Sequence, residues 1–293
     1  MKKIFENTPL GISAIALAFA SLGNLLAVYG EAFRVISVII SFVLLTIFVL
    51  KLIFTYKSFK TDLNNPVAFG ILPTCTMAAM LLAAYFSVYV GSFATIVWYT
   101  SFVLHLFIML MFTKRFVLKF NVQAVMPTWF IVAAGIAVAG ASSAAFGYLA
   151  NTISVIAFFV GFVLYVIALP LVIYKLIKYK LPEPALPTRV IFAAPASLIV
   201  VSASVLGVSD NIIWVFAVIS FASYIYALIF MFLSIKPKFL PTYASFSFPM
   251  VISALAFRAL NVYHFIEVIA IIVAVLATCY ALFAYILHIC KKI

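Results

Sequence analysis

The stretch "ISVIISFVLLTIFVLKLIF", residues 36–54, decides the fold class, because its only charged residue is Lys51. An apolar run of about 20 residues is long enough to cross the hydrocarbon core of a bilayer as one helix. The rest of the chain has the same character, since 68% of its 293 residues are hydrophobic and 8% are charged. An ordinary soluble domain has about a quarter of its residues charged. The sequence therefore predicts an all-α integral membrane protein.

The pattern of apolar runs predicts ten membrane spans in one transmembrane domain, residues 1–293. The predicted spans are residues 9–29, 33–56, 67–89, 92–112, 124–146, 151–174, 189–207, 211–235, 242–261 and 264–290. Very short connections that contain glycine alternate with longer, basic connections. This alternation indicates five helical hairpins.

The basic residues predict the topology of the chain. Of the 18 Lys and Arg residues, all but Arg34 and Arg258 lie at the termini or in the longer connections, with Lys51 counted at the end of the second span. The positive-inside rule then places the longer connections and both termini in the cytoplasm. The net charge of +12 therefore concerns topology and indicates no nucleic-acid partner.

The first apolar run also resembles a secretory signal peptide, with Ala18, Phe19 and Ala20 in the place of a cleavage site. Its length favours a retained helix, because it is long enough to span a bilayer. Cleavage would also leave an odd number of spans, with the two ends of the chain on opposite sides.

The odd-numbered spans differ in composition from the even-numbered ones. Pro73, Pro195 and Pro249 lie within or near the start of odd spans, which are also rich in Ala, Gly and Ser. A proline inside a helix removes a hydrogen bond, and in lipid the freed group needs another partner or a water-filled cavity. The even spans are bulkier and more apolar. We therefore expect the odd helices inside and the even helices facing lipid.

Four strings lead into odd spans in order along the chain. They are "NPVAFGILPTCTM" (65–77), "MPTWFIVAAGIAVAGASS" (126–143), "LPTRVIFAAPASLIVVSAS" (186–204) and "ASFSFPMVISALA" (244–256). With these strings the chain resembles, over nearly its whole length, the TehA and plant guard-cell slow anion channel family, also called the tellurite-resistance and dicarboxylate transporter family. The resemblance implies a pseudo-fivefold barrel of five hairpins whose odd helices form a pore, one pore in each subunit of a homotrimer, and a bacterial inner membrane.

The resemblance also implies a gate. In the family the second phenylalanine of the Phe-Ser-Phe string plugs the pore, and this residue is Phe248 here. The sequence itself adds that Pro249 should hold Phe248 out of helical geometry, and an aromatic ring in a narrow apolar constriction blocks ions. The alternative is a kinked helix in which Phe246 and Phe248 only pack.

Two other helices depart from the family pattern. Family members commonly have an interior proline in the first and fifth helices, where this chain has Ala16 and Val132. The sequence therefore does not decide whether these two helices are kinked. It leaves the profile of the pore undecided as well.

Hydroxyl groups of the odd spans are the candidate pore lining, because they can solvate an anion weakly enough for it to leave. Each hydroxyl can instead bond to the backbone of its own helix. The candidates are Thr76, Ser197, Ser247 and Ser253, together with Ser13, Thr74, Ser142, Ser143 and Ser202.

Two arginines near the outer ends of spans, Arg34 and Arg258, would attract anions to the mouth of a pore. For Arg258 the alternative is an ion pair with Glu267, nine positions further along the chain.

The sequence thus predicts an anion channel-like protein that passes small monovalent anions and needs no cofactor or metal. The alternatives within the family are a proton-coupled carrier of malate-like dicarboxylates and a tellurite-resistance exporter. Proton coupling usually requires an ionisable group within the membrane, and the candidates are His105 and Glu267. An enzyme is disfavoured, because its best constellation, His264 with Glu267, has no third ligand or nucleophile beside it.

Overall fold

The computed structural model describes residues 2–292, and the regular structure of these residues is helical throughout. The α-helices are α1 (Lys2–Asn7), α2 (Ile12–Leu26), α3 (Glu31–Phe54), α4 (Tyr56–Asp62), α5 (Pro66–Ile71), α6 (Pro73–Val90), α7 (Ser92–Phe112), α8 (Trp129–Ala134), α9 (Val138–Ser142), α10 (Gly147–Lys178), α11 (Ala193–Leu206), α12 (Asp210–Leu233), α13 (Ser247–Ala259) and α14 (His264–Cys290). Tighter 3-10 turns lie at Ala27–Tyr29, Val122–Ala124, Gly135–Ala137, Ser143–Phe146, Glu183–Phe192 and Pro241–Phe246, and a π-helical turn lies at Thr113–Val117.

Eight helical stretches within residues 2–292 are long and apolar enough to cross a membrane. They are Ile12–Tyr29, Glu31–Phe54, Pro66–Val90, Ser92–Val117, Trp129–Lys178, Glu183–Leu206, Asp210–Leu233 and His264–Cys290. The stretch Trp129–Lys178 has 50 residues, more than twice the length that a bilayer needs. It folds back near Gly147, which has a φ of +78°, so that α10 packs against α8 and α9. The prediction of a helical, multi-pass membrane protein is confirmed.

Burial separates the helices into two classes, as their composition predicts. In Ile12–Tyr29, Pro66–Val90 and Glu183–Leu206, 72% of the most apolar stretch is buried, and in Glu31–Phe54, Ser92–Val117 and His264–Cys290 only 33% is buried. The exposed helices carry large apolar side chains such as Ile36, Ile39 and Phe42 on their outer faces, which is typical of helices that face lipid.

The buried helices contact one another in a closed ring. Helix α2 packs against α6, α6 against α9, α9 against α11, α11 against α13, and α13 against α2. Each ring segment also packs against the exposed helix that follows it in sequence. Small residues permit these close approaches: a Cβ atom on Gly161 of α10 would lie 3.3 Å from the Ala134 carbonyl oxygen of α8.

The longer connections and the two ends of the described chain lie on one face of the molecule. There the Lys51 ammonium donates to the Phe5 carbonyl at 3.2 Å, and the Lys175 ammonium donates to the Gln123 amide oxygen at 2.7 Å. We call this the loop face, and it contains connections 55–65, 113–128, 179–192 and 234–246. The opposite turn face contains the tight turns with positive φ at Gly30, Gly91, Gly147, Gly207 and Asn261.

The three predicted prolines lie in the first turns of helices. Pro73 is the first residue of α6, and Pro195 and Pro249 are third in α11 and α13. The N–H groups of a first turn have no acceptor within the helix, so a proline there costs no helical hydrogen bond.

The expectation that Pro249 holds Phe248 out of helical geometry is wrong, because Phe248 is the second residue of α13. The change from 3-10 to α-helix takes place one residue earlier, at Ser247, whose ψ is −79°.

The first and fifth odd spans are shaped without the interior proline. Helix α2 continues without a break through Ala16. The fifth span is continuous at Val132 but is interrupted at Gly135–Ala137 by a 3-10 turn. A Cβ atom on Gly135 would lie 3.0 Å from the Met77 sulfur, so the break allows two ring segments to approach closely.

Candidate functional site

The ring of α2, α6, α8 with α9, α11 and α13 encloses two cavities. The narrow cavity has a volume of about 30 Å³ and the wide cavity about 400 Å³. The narrow cavity is lined by Ala14, Leu17, Ile71, Thr74, Met77, Phe130, Ile131, Ala134, Gly135, Ile191, Ala194, Pro195, Leu198, Ala244, Ser245, Phe248 and Pro249. The wide cavity is lined by Ser21, Asn24, Arg34, Leu81, Ala84, Tyr85, Val138, Ala141, Ser142, Ala144, Ala145, Leu198, Val201, Val205, Phe248, Ile252 and Leu255.

The two cavities follow one another along a common axis from the loop face to the turn face. On α2 the narrow cavity meets Ala14 and Leu17, and the wide cavity meets Ser21 and Asn24, about one to two turns further along. The other ring segments repeat this order. The enclosed space thus follows the direction in which these helices run.

Phe248 lies at the boundary between the two cavities. Its side chain lines both of them, as does that of Leu198 from α11, and Phe248 is 7% exposed. A cavity of about 30 Å³ has room for a few water molecules at most. The axis is therefore closed to a hydrated ion on the loop-face side of Phe248.

Phe246, two positions earlier, has a different environment. Its ring packs against Tyr243 at 5.3 Å and Tyr280 at 6.1 Å between centroids, and it lines neither cavity. Phe246 therefore packs the 3-10 turn before α13, of which it is the last residue, against α14.

Two of the predicted hydroxyls, Ser197 and Ser253, join helices behind Phe248. Their oxygens are 3.0 Å apart, and Ser197 also lies 2.7 Å from the Ser220 hydroxyl of α12. Ser253 donates to the Pro249 carbonyl at 2.8 Å. Ser197 and Ser253 line neither cavity, so the structure places them between α11, α12 and α13.

Two further predicted hydroxyls also point away from the cavities. The Thr76 hydroxyl donates to the Pro73 carbonyl and lies 2.8 Å from Nδ1 of His105. His105 is fully buried, and its Nε2 has no hydrogen-bond partner within the described residues. Ser247 donates to the Ala244 carbonyl at 2.7 Å.

Other hydroxyls do line the axis. Thr74 and Ser245 line the narrow cavity, and Ser21 and Ser142 line the wide cavity. Thr74 and Ser142 were among the candidates from the sequence, and Ser21 and Ser245 were missed. The small-residue pattern "GISAIALAFASLG" around Ser21 was the available signal, but it does not say which face of the helix meets the cavity.

Helix termini also contribute to the electrostatic character of the narrow cavity. Helices α2, α6, α8, α11 and α13 all begin close to the narrow cavity, and a residue of the first turn of each lines it. A helix N-terminus carries about half a positive elementary charge. None of the acidic residues in the described part of the chain lines either cavity. Helices α6, α11 and α13 follow directly on earlier helical turns and α8 has six residues, so the helix-terminal charge lies chiefly at the start of α2, beside Ala14 of the narrow cavity.

The two arginines of the turn face have different positions. Arg34 lines the wide cavity, with its guanidinium 4.9 Å from the centre of the Tyr85 ring. Arg258 lines neither cavity and donates from Nε to the Glu267 carboxylate at 2.7 Å. His264 is 3.9 Å from the same carboxylate and 82% exposed. The structure thus gives Arg258 the ion pair and places Arg34 on the axis.

A sequence profile described as "Voltage-dependent anion channel" matches residues 8–289, which is nearly the whole chain. A comparison with curated proteins gives no match.

Proposed function

The chain belongs to the voltage-dependent anion channel family, which contains the SLAC1 and TehA anion channels and dicarboxylate transporters, and on that premise we propose an anion channel-like transport protein with Phe248 as its gate. Small monovalent anions pass along the axis of the two cavities in each subunit. The observation that carries the proposal is the position of Phe248, whose side chain lines both cavities.

The proposed architecture is a pseudo-fivefold barrel of ten spans in five hairpins. The closed ring of contacts supports it. So does the reversal near Gly147, which divides the 50-residue helical stretch into two spans. The segment 241–259, with its 3-10 turn and α13, supplies the remaining span.

The proposed setting is a homotrimer in a bacterial inner membrane. The loop face carries nearly all of the basic residues, which supports a cytoplasmic position for it and for both termini.

The preference for anions follows from the N-terminus of α2 beside the narrow cavity, from Arg34 in the wide cavity and from the absence of acidic side chains in the described lining. The partial charge of the helix terminus attracts an anion without holding it as a buried full charge would. Conduction requires such weak binding, because an ion has to leave as easily as it enters.

The proposed lining differs from the one that the sequence predicts. Thr74 and Ser245 line the narrow cavity, and Ser21 and Ser142 line the wide cavity. The predicted hydroxyls Thr76, Ser197, Ser247 and Ser253 position the ring helices instead, and Pro73, Pro195 and Pro249 mark helix starts.

A proton-coupled dicarboxylate carrier is the second candidate, and His105 is the observation that favours it. It is an ionisable side chain in the middle of α7, with one ring nitrogen free of partners in the described structure. A Cβ atom on Gly135, which lines the narrow cavity, would lie 3.4 Å from the His105 ring. The imidazole thus lies next to Gly135 and close to Met77, both of which line the narrow cavity.

The test of the gate is the anion current of Phe248→Ala in planar bilayers. Removing the ring joins the two cavities, so we expect a current at least about tenfold larger than that of the wild type, which corresponds to a barrier lowered by about 1.4 kcal/mol. The matched control is Phe246→Ala, which removes the same ring from a position off the axis. Equal currents in the wild type and Phe248→Ala, or an equal rise in both variants, would overturn the assignment.

A further inference from the structure

The wide cavity has two chemically different parts. Its polar part contains Arg34, whose Nε is buried without a hydrogen-bond partner, and Ser21, whose buried hydroxyl also has none within the described structure. Arg34 also lies 3.7 Å from the Glu31 carboxylate, but that side chain is 58% exposed, so solvent weakens the pair. Arg34 Nε and Ser21 Oγ have no exposed surface, so a ligand would meet the remaining part of the Arg34 side chain, which is 34% exposed.

Apart from Asn24, Tyr85 and Ser142, the remaining wall of the wide cavity is apolar. Its larger members are Leu81, Val138, Val201, Ile252 and Leu255, and Phe248 closes the end toward the narrow cavity. A second charged group of a ligand would lie against these side chains without a partner, which is unfavourable. The cavity therefore suits a molecule with one anionic end and an apolar body.

The volume of the wide cavity suits a small organic molecule, which is larger than a permeating inorganic ion. A volume of about 400 Å³ is within the range of small-molecule sites, about 300–1,000 Å³. The narrow cavity next to it has about 30 Å³, too little for an organic molecule. An organic anion that enters from the turn face would thus stop above Phe248.

We propose that the wide cavity binds a small organic monocarboxylate with an apolar body, which bonds to Arg34 and obstructs the axis from the turn face. The obstruction rests on the proposed function of the axis as an ion pathway. The binding itself does not depend on conduction.

The experiment measures benzoate binding to the purified full-length protein in detergent by isothermal titration calorimetry. Arg34→Gln should weaken binding by about tenfold or more, as expected for the loss of a charge-assisted hydrogen bond. The matched control is Arg115→Gln, which changes an exposed arginine on the loop face and should bind like the wild type. Malate should bind more weakly than benzoate because of its second carboxylate. Equal binding by wild type and Arg34→Gln, or tighter binding of malate, would overturn the proposal.

A second variant tests the binding site independently, in case Arg34→Gln loses binding because it misfolds. Ala141→Phe fills the wide cavity from its wall and leaves Arg34 in place, so it should also abolish benzoate binding. Binding that survives in Ala141→Phe would place the ligand elsewhere.

Obstruction is measured as the fall in the Phe248→Ala current when benzoate is added from the turn-face side. Calorimetric binding without any fall in current would contradict the obstruction. If Phe248→Ala carries no current, the proposed channel function fails, and the calorimetry still decides the binding site.

Discussion

Arg258 and Glu267 form an ion pair that joins α13 to α14. Besides the 2.7 Å bond between them, Arg258 donates to the Leu25 carbonyl at the end of α2, and its guanidinium lies 5.8 Å from the centre of the Tyr29 ring. Both charged side chains are mostly buried. The arginine therefore ties three helices together at the turn face.

Removing one partner from a largely buried pair leaves the other charge without compensation. We expect Glu267→Gln to lower the free energy of unfolding by about 1–3 kcal/mol. The measurement is the temperature at which the detergent-solubilised protein stops being monodisperse, which should fall. His264→Gln, at the exposed neighbour, should have no effect. Glu267→Gln in the Phe248→Ala background should leave the anion current unchanged, and an altered current without loss of stability would place Arg258 on the ion pathway.

Residue positions show what the sequence could and could not predict. It predicted small residues in the ring helices, which permit close packing, but it did not predict the large apolar side chains along the axis, such as Leu17, Phe130 and Leu198. It did not separate Arg34 from Arg258, since both lie near the same face and only the partners of each side chain decide its role. The ranking of Phe248 over Phe246 came from the family resemblance, which the profile match confirms at the level of the family.

At the scale of elements, the ring helices are entered through tight turns. The turns Glu183–Phe192 and Pro241–Phe246 precede α11 and α13, and Gly135–Ala137 divides α8 from α9. A 3-10 turn has about 3.0 residues per turn and an α-helix about 3.6. Each change of twist rotates the following residues around the helix axis. The sequence alone therefore does not say which face of each ring helix meets the cavities.

The contact between α5 and the start of α8 gives a prediction at this scale. A Cβ atom on Gly70 would lie 2.5 Å from Oγ1 and 2.7 Å from Cβ of Thr128. Gly70→Ala should therefore lower the free energy of unfolding by about 1–3 kcal/mol through overpacking, read from thermal denaturation in detergent.

Two variants control this prediction. Gly23→Ala meets its nearest neighbour at 3.3 Å and should cost less than Gly70→Ala. Adding Thr128→Gly to Gly70→Ala should recover part of the loss. A Gly70→Ala protein as stable as the wild type would show that the segment Pro66–Ile71 can shift away from α8.

At the scale of the whole molecule, the two candidate functions differ in what drives transport. A channel lets the anion gradient alone set the reversal potential. For Phe248→Ala we expect a shift of roughly 60 mV for a tenfold chloride gradient, and no shift for a proton gradient of the same size. A reversal potential that follows the proton gradient, and loses this dependence in His105→Gln, would favour the proton-coupled carrier.

The general organisation of the molecule was predictable because hydropathy reports directly on contact with lipid. Long apolar runs predicted helices, and the difference between small and bulky spans predicted which helices are buried. The reversal near Gly147 was also predicted, since a short connection that contains this glycine separates the predicted spans 124–146 and 151–174. The interior volumes were not predictable, because they depend on packing among five helices at once.

The closed ring has a consequence for how the protein is made. Its last seam joins α2 to α13, and the contact between Leu25 and Arg258 spans 233 positions of the chain. At a synthesis rate of about 5–20 residues per second, α13 leaves the ribosome roughly ten to fifty seconds after α2. During that interval the first helix resides in the membrane with one flank uncovered. Side chains that later line the two cavities then face lipid or the insertion machinery.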